Sequence, residues 1–349
     1  MNHLVIMAGG IGSRFWPMST AECPKQFIDI IGCGRTMIQQ TFDRFSSIIP
    51  IERVWVVTSA NYQAIVANQL KGIDPQHILL EPCMRNTAPC IAYVSAKIAK
   101  EDAEAVMVVS PSDHLVTDVK TFEKAINRGL RYVENGNVIL TLGMNPTRPE
   151  TGYGYIQSGE KIDDSSDMPI FKLHAFKEKP NLETAKTYLA EGGYTWNSGL
   201  FLWSVKTILS ELRNYAPQIM SVIDKMQPSF FTEKEQETVN HNFPSCEKIS
   251  IDYAVMEKTS LASVLPIEFG WSDLGTWGSL HTLITKDENN NAVIGNAVKM
   301  VDANGCMVRM PKDKKVVIQG IDNCIVVENN GTLLICKLED EQRIKDWHN

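Results

Sequence analysis

At 349 residues, 44% hydrophobic and 21% charged, the chain has the make-up of an ordinary globular protein, with room for one large core and a smaller appendage. Its formal net charge of −7 excludes a phosphate-tracking nucleic-acid binder, whose affinity rests on a basic face. Any anionic ligand must therefore meet a local cluster of cations. Eight scattered cysteines without a C-x-x-C pair exclude a disulfide framework and read as small hydrophobes of a reducing compartment.

The first apolar run, Leu4 to Ala8, is too short for a signal-peptide core or a membrane span, which makes the cytoplasm the expected compartment. Through residue 143, β-branched runs (Leu4–Met7, Val54–Thr58, Ile78–Leu80, Ala105–Ser110, Val138–Leu142) alternate with segments of helical period near 36–46, 60–70, 87–100 and 119–134. That alternation predicts an α/β fold with a mostly parallel sheet covered on both faces. Further on, Tyr153–Gln157 and Ile170–Glu178 read as strands and 181–191, 205–215, 217–226 and 232–241 as helices. No Gly/Ser/Pro-rich linker interrupts 144–280, so residues 1–285 are expected to form one catalytic domain.

The polar run from Lys286 to Ala292 marks a shift in composition. After it come short strand-like pieces, Ala292–Val301, Cys306–Arg309, Lys315–Gln319, Cys324–Glu328 and Thr332–Lys337, with Gly and Asn at the turns. Their spacing predicts a β-solenoid or small β-roll over 292–337. Residues 338–349 are expected to be a charged tail, as a short surface helix or frayed, and exposed strand edges nearby would favour a homodimer.

Three segments carry the chemistry. Ala8-Gly9-Gly10-Ile11-Gly12-Ser13-Arg14 follows the first strand, with Pro24-Lys25-Gln26-Phe27 a short way on. Glycines let backbone N–H groups approach a polyphosphate, and Arg14 and Lys25 add two cations, although a tight turn without ligand is the alternative. The loop is neither a P-loop nor G-x-G-x-x-G. Ser110-Pro111-Ser112-Asp113-His114 places Asp113 just past a strand, where open parallel sheets bind ligands, and its carboxylate suits Mg²⁺; a helix N-cap is its plainer role, and a structural hydrogen bond is the plainer role of His114. In Trp271-Ser272-Asp273-Leu274-Gly275, Asp273 is a second candidate ligand, provided the fold brings it to Asp113.

A polar pocket is read from Thr151-Gly152-Tyr153-Gly154-Tyr155, Phe176-Lys177-Glu178-Lys179-Pro180 and Thr195-Trp196-Asn197-Ser198-Gly199. Sugars are held by planar hydrogen-bonding side chains, glycine-exposed backbone and adjacent aromatic surface. Glu178 and Asn197 are the candidates for hydroxyls and Lys179 for a phosphate, while each segment alone is compatible with an ordinary loop.

Taken in order, these motifs resemble the mannose-1-phosphate guanylyltransferase family over nearly the whole chain. The likeness also rests on Trp16-Pro17, Glu81-Pro82, Arg85-Asn86-Thr87-Ala88-Pro89 and Ser250-Ile251-Asp252-Tyr253-Ala254-Val255-Met256-Glu257-Lys258. The resemblance implies a GT-A-like (Rossmann-like) nucleotidyltransferase domain followed by a short left-handed β-helix. It also implies that Ala8, Gly9, Gly10, Gly12 and Ser13, with Arg14 and Lys25, hold the GTP phosphates, that Asn86 and Thr87 lie near the nucleoside, and that Asp113 and Asp273 bind Mg²⁺. By the same likeness Lys179 contacts the phosphate of mannose 1-phosphate, Glu178 and Asn197 meet its hydroxyls, and Gly152, Tyr153, Gly154 and Ser198 complete the pocket.

Cys90 departs from the alanine more usual in the family. The chain ends at 349 without the isomerase domain of longer relatives, so no phosphomannose isomerase activity is expected.

The implied reaction is attack of a sugar-phosphate oxygen on the α-phosphorus of GTP, with pyrophosphate leaving. Arg14, Lys25, Lys179 and the Asp113 metal site would supply electrostatics rather than a general base. Guanine selection would fall to a carboxylate or carbonyls, with Glu81 a candidate. The rivals are a transferase for a heptose, fucose or glucose phosphate, a non-catalytic regulatory homologue, and a glycosyltransferase, the last lacking its usual Asp-x-Asp motif here.

Overall fold

The computed structural model describes residues 1–134, 136–164 and 167–347. Of the expected tail, His348 and Asn349 lie outside the described residues. The chain forms two compact units that interleave along the sequence: Met1–Gly9, Thr41–Ser112 and Val116–Trp271 in the first, Gly10–Gln40, Asp113–Leu115 and Ser272–Asn349 in the second.

The first unit is built on a nine-stranded sheet. Its strands are β1 (Asn2–Ala8), β2 (Val54–Ser59), β3 (Ile78–Glu81), β4 (Val106–Pro111), β5 (Ile139–Met144), β6 (Tyr155–Asp163), β7 (Ile170–Lys177), β8 (Tyr194–Ser204) and β9 (Ala262–Ile267), in the order β3-β2-β1-β4-β8-β5-β9-β7-β6. The first four strands are mutually parallel, and β5 and β9 form a second parallel pair. Strand β8 runs antiparallel between them and pairs with β4 and β5. β1 is thus flanked by β2 on one side and β4 on the other, and the chain reverses its direction of winding there. Such a switch point leaves a crevice at the carboxyl ends of the two strands.

β-Branched runs give β2 and β4 their five consecutive buried positions, as expected of strands covered on both faces. The helix Thr87–Glu101 is apolar almost all round and buried from Ala88 through Ile98, so it serves as a core element rather than an amphipathic cover. It packs against the helices Val205–Tyr215 and Pro217–Met226, while Val119–Glu134 packs on β8, β4, β5 and β9. Trp55, Trp203 and Tyr93 are fully buried in this core.

Two strands, β8 and β9, are absent from the sequence expectation. In β8 the run Asn197-Ser198-Gly199 breaks apolar alternation, and Gly199 takes φ 72°, so the strand shows no period to read. The single strand expected over 292–301 is two, Ala292–Ile294 and Ala297–Val301, separated at Gly295-Asn296.

In the second unit, Ala292–Ile294, Met307–Arg309 and Cys324–Asn329 stack in parallel register, Ala292 on Met307 on Ile325, and Thr332–Lys337 closes that sheet antiparallel. A second parallel pair joins Ala297–Val301 to Lys315–Gln319. Parallel strands stacked coil on coil are the signature of a short β-helix. Buried polar groups at the turns are satisfied: Asn291 donates to Ala303 O at 2.8 Å and accepts from Cys306 N at 3.0 Å. Phe15, Met37, Trp277, Met307 and Ile325 share one core. Leu338–Asp346 winds as consecutive 3₁₀ turns, fixed where Gly278 N donates to Glu341 Oε2 at 2.6 Å. No helix among the described residues is long and apolar enough to cross a membrane.

Candidate active site

In the second unit the glycine segment folds as a left-handed turn. Gly10 and Gly12 take φ 85° and 70°, and Gly12 leads into a 3₁₀ turn over Ser13–Phe15. A Cβ at Gly12 would lie 2.5 Å from Lys25 Cβ, so the turn needs glycine both for its dihedral and for the close approach of Pro24-Lys25-Gln26. That segment is docked by Lys25 N donating to Ile11 O at 3.1 Å and Gln26 Nε2 donating to Gly10 O at 3.1 Å. Arg14 is exposed and makes no ion pair with the described residues. Lys25 is buried, its Nζ 3.0 Å from Asp113 Oδ2, 2.6 Å from the backbone oxygen of Asp273 and 5.6 Å from the centre of the Phe15 ring.

Asp113 and Asp273, far apart in sequence, are thus joined through one ammonium group. Burial pushes the Asp113 carboxyl up, and the neighbouring Lys25 and His114 outweigh it and hold Asp113 below the usual carboxylate range. Asp273 Oδ1 accepts from Gly275 N at 3.0 Å. Among the described residues no three His, Cys, Asp or Glu side chains form a metal-binding cluster. The Asp113 carboxylate and the Asp273 backbone oxygen, which meet at Lys25, are oxygen donors of the kind suited to a hard divalent ion that takes few protein ligands and completes its shell from substrate phosphates and water. His114 Nε2 lies 3.9 Å from Asp113 Oδ1.

In the first unit β1 ends at Ala8, whose carbonyl accepts from Thr58 Oγ1 at 2.9 Å, and Gly9 is exposed beyond it. β3 ends at Glu81, and its Oε1 is buried without a hydrogen-bond partner among the described residues. Burial pushes that carboxyl up to about 8, so at neutral pH it is mostly protonated. Asn86 sits at φ 66° and caps the helix Thr87–Glu101, while Thr87 Oγ1 accepts from Ile251 N at 2.9 Å.

A second group of polar side chains converges within the first unit. Gly154 has no room for a side chain: a Cβ there would meet Glu178 Oε2 at 2.5 Å and Asn197 Cβ at 3.4 Å. Asn197 N donates to Gly154 O at 2.8 Å, and Glu178 Oε1 pairs with Lys179 Nζ at 2.8 Å. Partial burial works against the Lys179 ammonium, but Glu178 and Asp252 raise it above the ordinary lysine range. Tyr153 lies edge-on to both Trp196 and Trp271, each at 5.2 Å. Gly152 is exposed, its N–H held by Glu150 Oε1 at 3.0 Å. Ser198 is fully buried and donates to Leu142 O at 2.7 Å, a bond internal to the sheet. Asp252, singled out only as part of a longer motif, accepts from Asn197 Nδ2 at 3.1 Å and belongs to the same group.

Groups of these kinds bind phosphate anions and polyhydroxy ligands and offset negative charge, the chemistry of a nucleotide-dependent group-transferring α/β protein. The chain belongs to the nucleotidyl transferase family, whose model matches residues 3–290, and by similarity it falls among the mannose-1-phosphate guanylyltransferases. It is 36% identical over 347 residues to a mannose-1-phosphate guanylyltransferase of Escherichia coli, covering 98% of this chain and 74% of that protein. To a protein of the same name from Salmonella montevideo it is 38% identical over 346 residues, with 98% and 72% covered. A crystal structure of a Thermus thermophilus protein described as a mannose-1-phosphate geranyltransferase superposes with a TM-score of 0.88 at 28% identity, covering 99% of this chain and 97% of that one. A divalent metal is usual for nucleotidyl transferases.

Proposed function

We propose that this protein transfers GMP from GTP to α-D-mannose 1-phosphate, giving GDP-mannose and pyrophosphate, with Mg²⁺ as its metal. The observation that carries the reading is the meeting of the Asp113 carboxylate and the Asp273 backbone at the buried Lys25 ammonium, directly behind a glycine turn that bears an exposed Arg14. The names of the relatives at 36% and 38% identity support mannose 1-phosphate and GTP as the substrates. Residues 1–285 would carry the reaction and 292–337 would be accessory. A cytoplasmic setting and a homodimer, for which the exposed Leu333 and Ile335 of the edge strand Thr332–Lys337 speak, belong to the same proposal.

The nucleophile needs no base, because a phosphate monoester with a second pKa of about 6 is largely dianionic at neutral pH. The obstacle is charge: a dianion must reach a triphosphate. Arg14 and the N–H groups of the Gly9–Ser13 turn take the triphosphate, and Lys25 orders Asp113 and Asp273, the residues that would hold the metal. When bound, Mg²⁺ supplies neutralisation of phosphate charge. Lys179 holds the phosphate of the sugar, Glu178, Asn197 and the Gly152–Gly154 backbone its hydroxyls, and Asn86, Thr87 and Glu81 the nucleoside.

The test is Mg²⁺-dependent pyrophosphate release from the purified protein across four nucleoside triphosphates and the 1-phosphates of mannose, glucose, fucose and a heptose. Release confined to GTP with mannose 1-phosphate is the expected result. Release with another pair keeps the mechanism and changes the substrates, and silence throughout overturns the proposal in favour of a non-catalytic homologue.

A further inference from the structure

Asp252 opens the five-residue π-helix Asp252–Met256, in which Glu257 N donates back to Asp252 O at 3.0 Å. Such elements are rare and concentrate at functional sites. The carboxylate joins no sheet ladder. It accepts instead from the side-chain amide of Asn197, 3.1 Å away.

That contact completes the definition of a carboxamide. Asn197 Oδ1 accepts from Gly199 N at 3.1 Å while Nδ2 faces Asp252; Thr141 Oγ1 lies 3.3 Å from Oδ1 but has its shorter acceptor in Leu200 O at 3.0 Å. A flipped amide would oppose Nδ2 to the Gly199 N–H and Oδ1 to a carboxylate, so only one orientation satisfies both of these neighbours. Of the two Nδ2 hydrogens, one goes to Asp252 and the other remains for a ligand. The same Asn197 donates its backbone N–H to Gly154 O, beside which Glu178 Oε2 lies. Asp252 therefore stands behind the side chain proposed to read sugar hydroxyls, and its charge also bears on the Lys179 ammonium.

We infer that Asp252 is a positioning residue for the sugar 1-phosphate, fixing the Asn197 carboxamide so that its second N–H meets a sugar hydroxyl. The inference rests on the proposed function and extends it to a residue outside the groups assigned above. Burial and the Glu178 carboxylate raise Asp252 to about 6, which still leaves it mostly ionised, and so a strong acceptor for Asn197, at pH 7 and above.

The experiment compares wild type with Asp252→Ala, Asp252→Asn, Asn197→Ala and the Asp252→Ala/Asn197→Ala double variant, reading KM for each substrate and kcat, with thermal melts as the folding control. Loss of one oriented hydrogen bond corresponds to about a tenfold rise in KM for the sugar phosphate, with KM for GTP held within about twofold. Because Asp252 acts through Asn197, the double variant is expected to be no worse than Asn197→Ala alone. Asp252→Asn should recover most of the affinity, since its amide oxygen still accepts from Asn197. Asp252→Ser takes the place of the alanine variant if that one does not melt as a folded protein.

An unchanged KM for the sugar phosphate in the truncation variant overturns the inference. So do equal rises in both KM values, multiplying effects in the double variant, or an Asp252→Asn enzyme as impaired as the truncation. If wild type releases no pyrophosphate with any substrate pair, the proposed function itself fails and this inference with it. An active wild type with an indifferent truncation sinks the inference alone.

Discussion

Lys25 Nζ lies 3.0 Å from Asp113 Oδ2 with the lysine side chain only 4% exposed, so the more buried of the two loop cations already carries a counter-charge. Lys25 is therefore as much an organiser of Asp113 and Asp273 as a phosphate ligand. Lys25→Met would leave the half-buried Asp113 carboxylate with only the more distant His114 beside it, at a cost of about 1–3 kcal/mol of stability, below the range for fully buried pairs because Asp113 is 32% exposed. Asp113→Asn removes charge without volume and leaves the buried Lys25 ammonium with neutral acceptors only, so it should cost about 1–3 kcal/mol in stability and lower kcat by about a hundredfold or more. Combining the two should return much of the stability lost in Lys25→Met and none of the activity. Denaturant titration beside pyrophosphate release measures both. A kcat for Asp113→Asn within a few fold of wild type would overturn the metal-ligand assignment.

Gly12 offers a purely geometric test. Its φ of 70° is unfavourable for an L-residue, and a Cβ would lie 2.5 Å from Lys25 Cβ, so Gly12→Ala must move either the turn or the lysine. The dihedral alone costs about 1 kcal/mol, and displacement of Lys25 should raise KM for the triphosphate. Gly9→Ala has open space around the new Cβ and should leave folding untouched. Equal melting temperatures for wild type and Gly12→Ala would refute the tight docking of the loop on Lys25.

Glu81 makes stability depend on pH. Its folded pKa is raised to about 8 by burial, above the ordinary glutamate value, so the folded state binds the extra proton. The stabilisation is fully present below the unfolded pKa of about 4.3 and is lost as pH rises from there through 8, by about 5 kcal/mol in total. Glu81→Gln should remove this slope: its stability should match wild type near pH 4 and exceed it at pH 8. A wild-type enzyme whose denaturation midpoint does not fall relative to Glu81→Gln between these values would show the carboxyl to be ionised and solvated. If Glu81 reads guanine, it does so mostly as the neutral acid, and Glu81→Gln should keep KM for GTP within a few fold.

The readable parts of the sequence were those where period and chemistry coincide. β1, β2 and β4 announce themselves as buried β-branched runs, while the glycine turn, Asp113 and Lys179 gain meaning only from the joint order of their segments, each of which alone is compatible with a turn, cap or loop. β8 was hidden because the residues that make it useful, Asn197, Ser198 and Gly199, are those that spoil its alternation. β9 was hidden because Pro266 lies inside the short run Ala262–Ile267, and a proline there argues against a strand. Asp252 escaped for a different reason: its partner Asn197 is 55 residues away, and a lone Asp near a Ser reads as a cap until the fold supplies the contact. The role of Lys25 as a counter-ion to Asp113 likewise depends on a pairing across 88 positions.

Lys179 is the corresponding cation on the sugar side. Its side chain is 60% exposed and its ammonium is held 2.8 Å from Glu178 Oε1, so an incoming phosphate dianion competes with a carboxylate for a solvent-facing cation. Its partner Glu178 is only 9% exposed, so Lys179→Ala leaves a mostly buried carboxylate without its cation and should cost about 1–3 kcal/mol of stability. The backbone gives a control, because Lys179 sits at φ 45° and glycine at this position should be slightly more stable than alanine. In catalysis the variants should diverge from wild type together: KM for the sugar phosphate should rise by about ten- to a hundredfold, the worth of one charge-assisted contact, with KM for GTP unchanged. Raising ionic strength from about 0.01 to 0.15 M shortens the screening length from about 30 to 8 Å, and should weaken sugar-phosphate use by wild type more than by Lys179→Ala. Parallel salt curves for the two proteins, or a KM for the sugar phosphate that does not move, would take Lys179 out of the site and leave its bond to Glu178 as a structural pair.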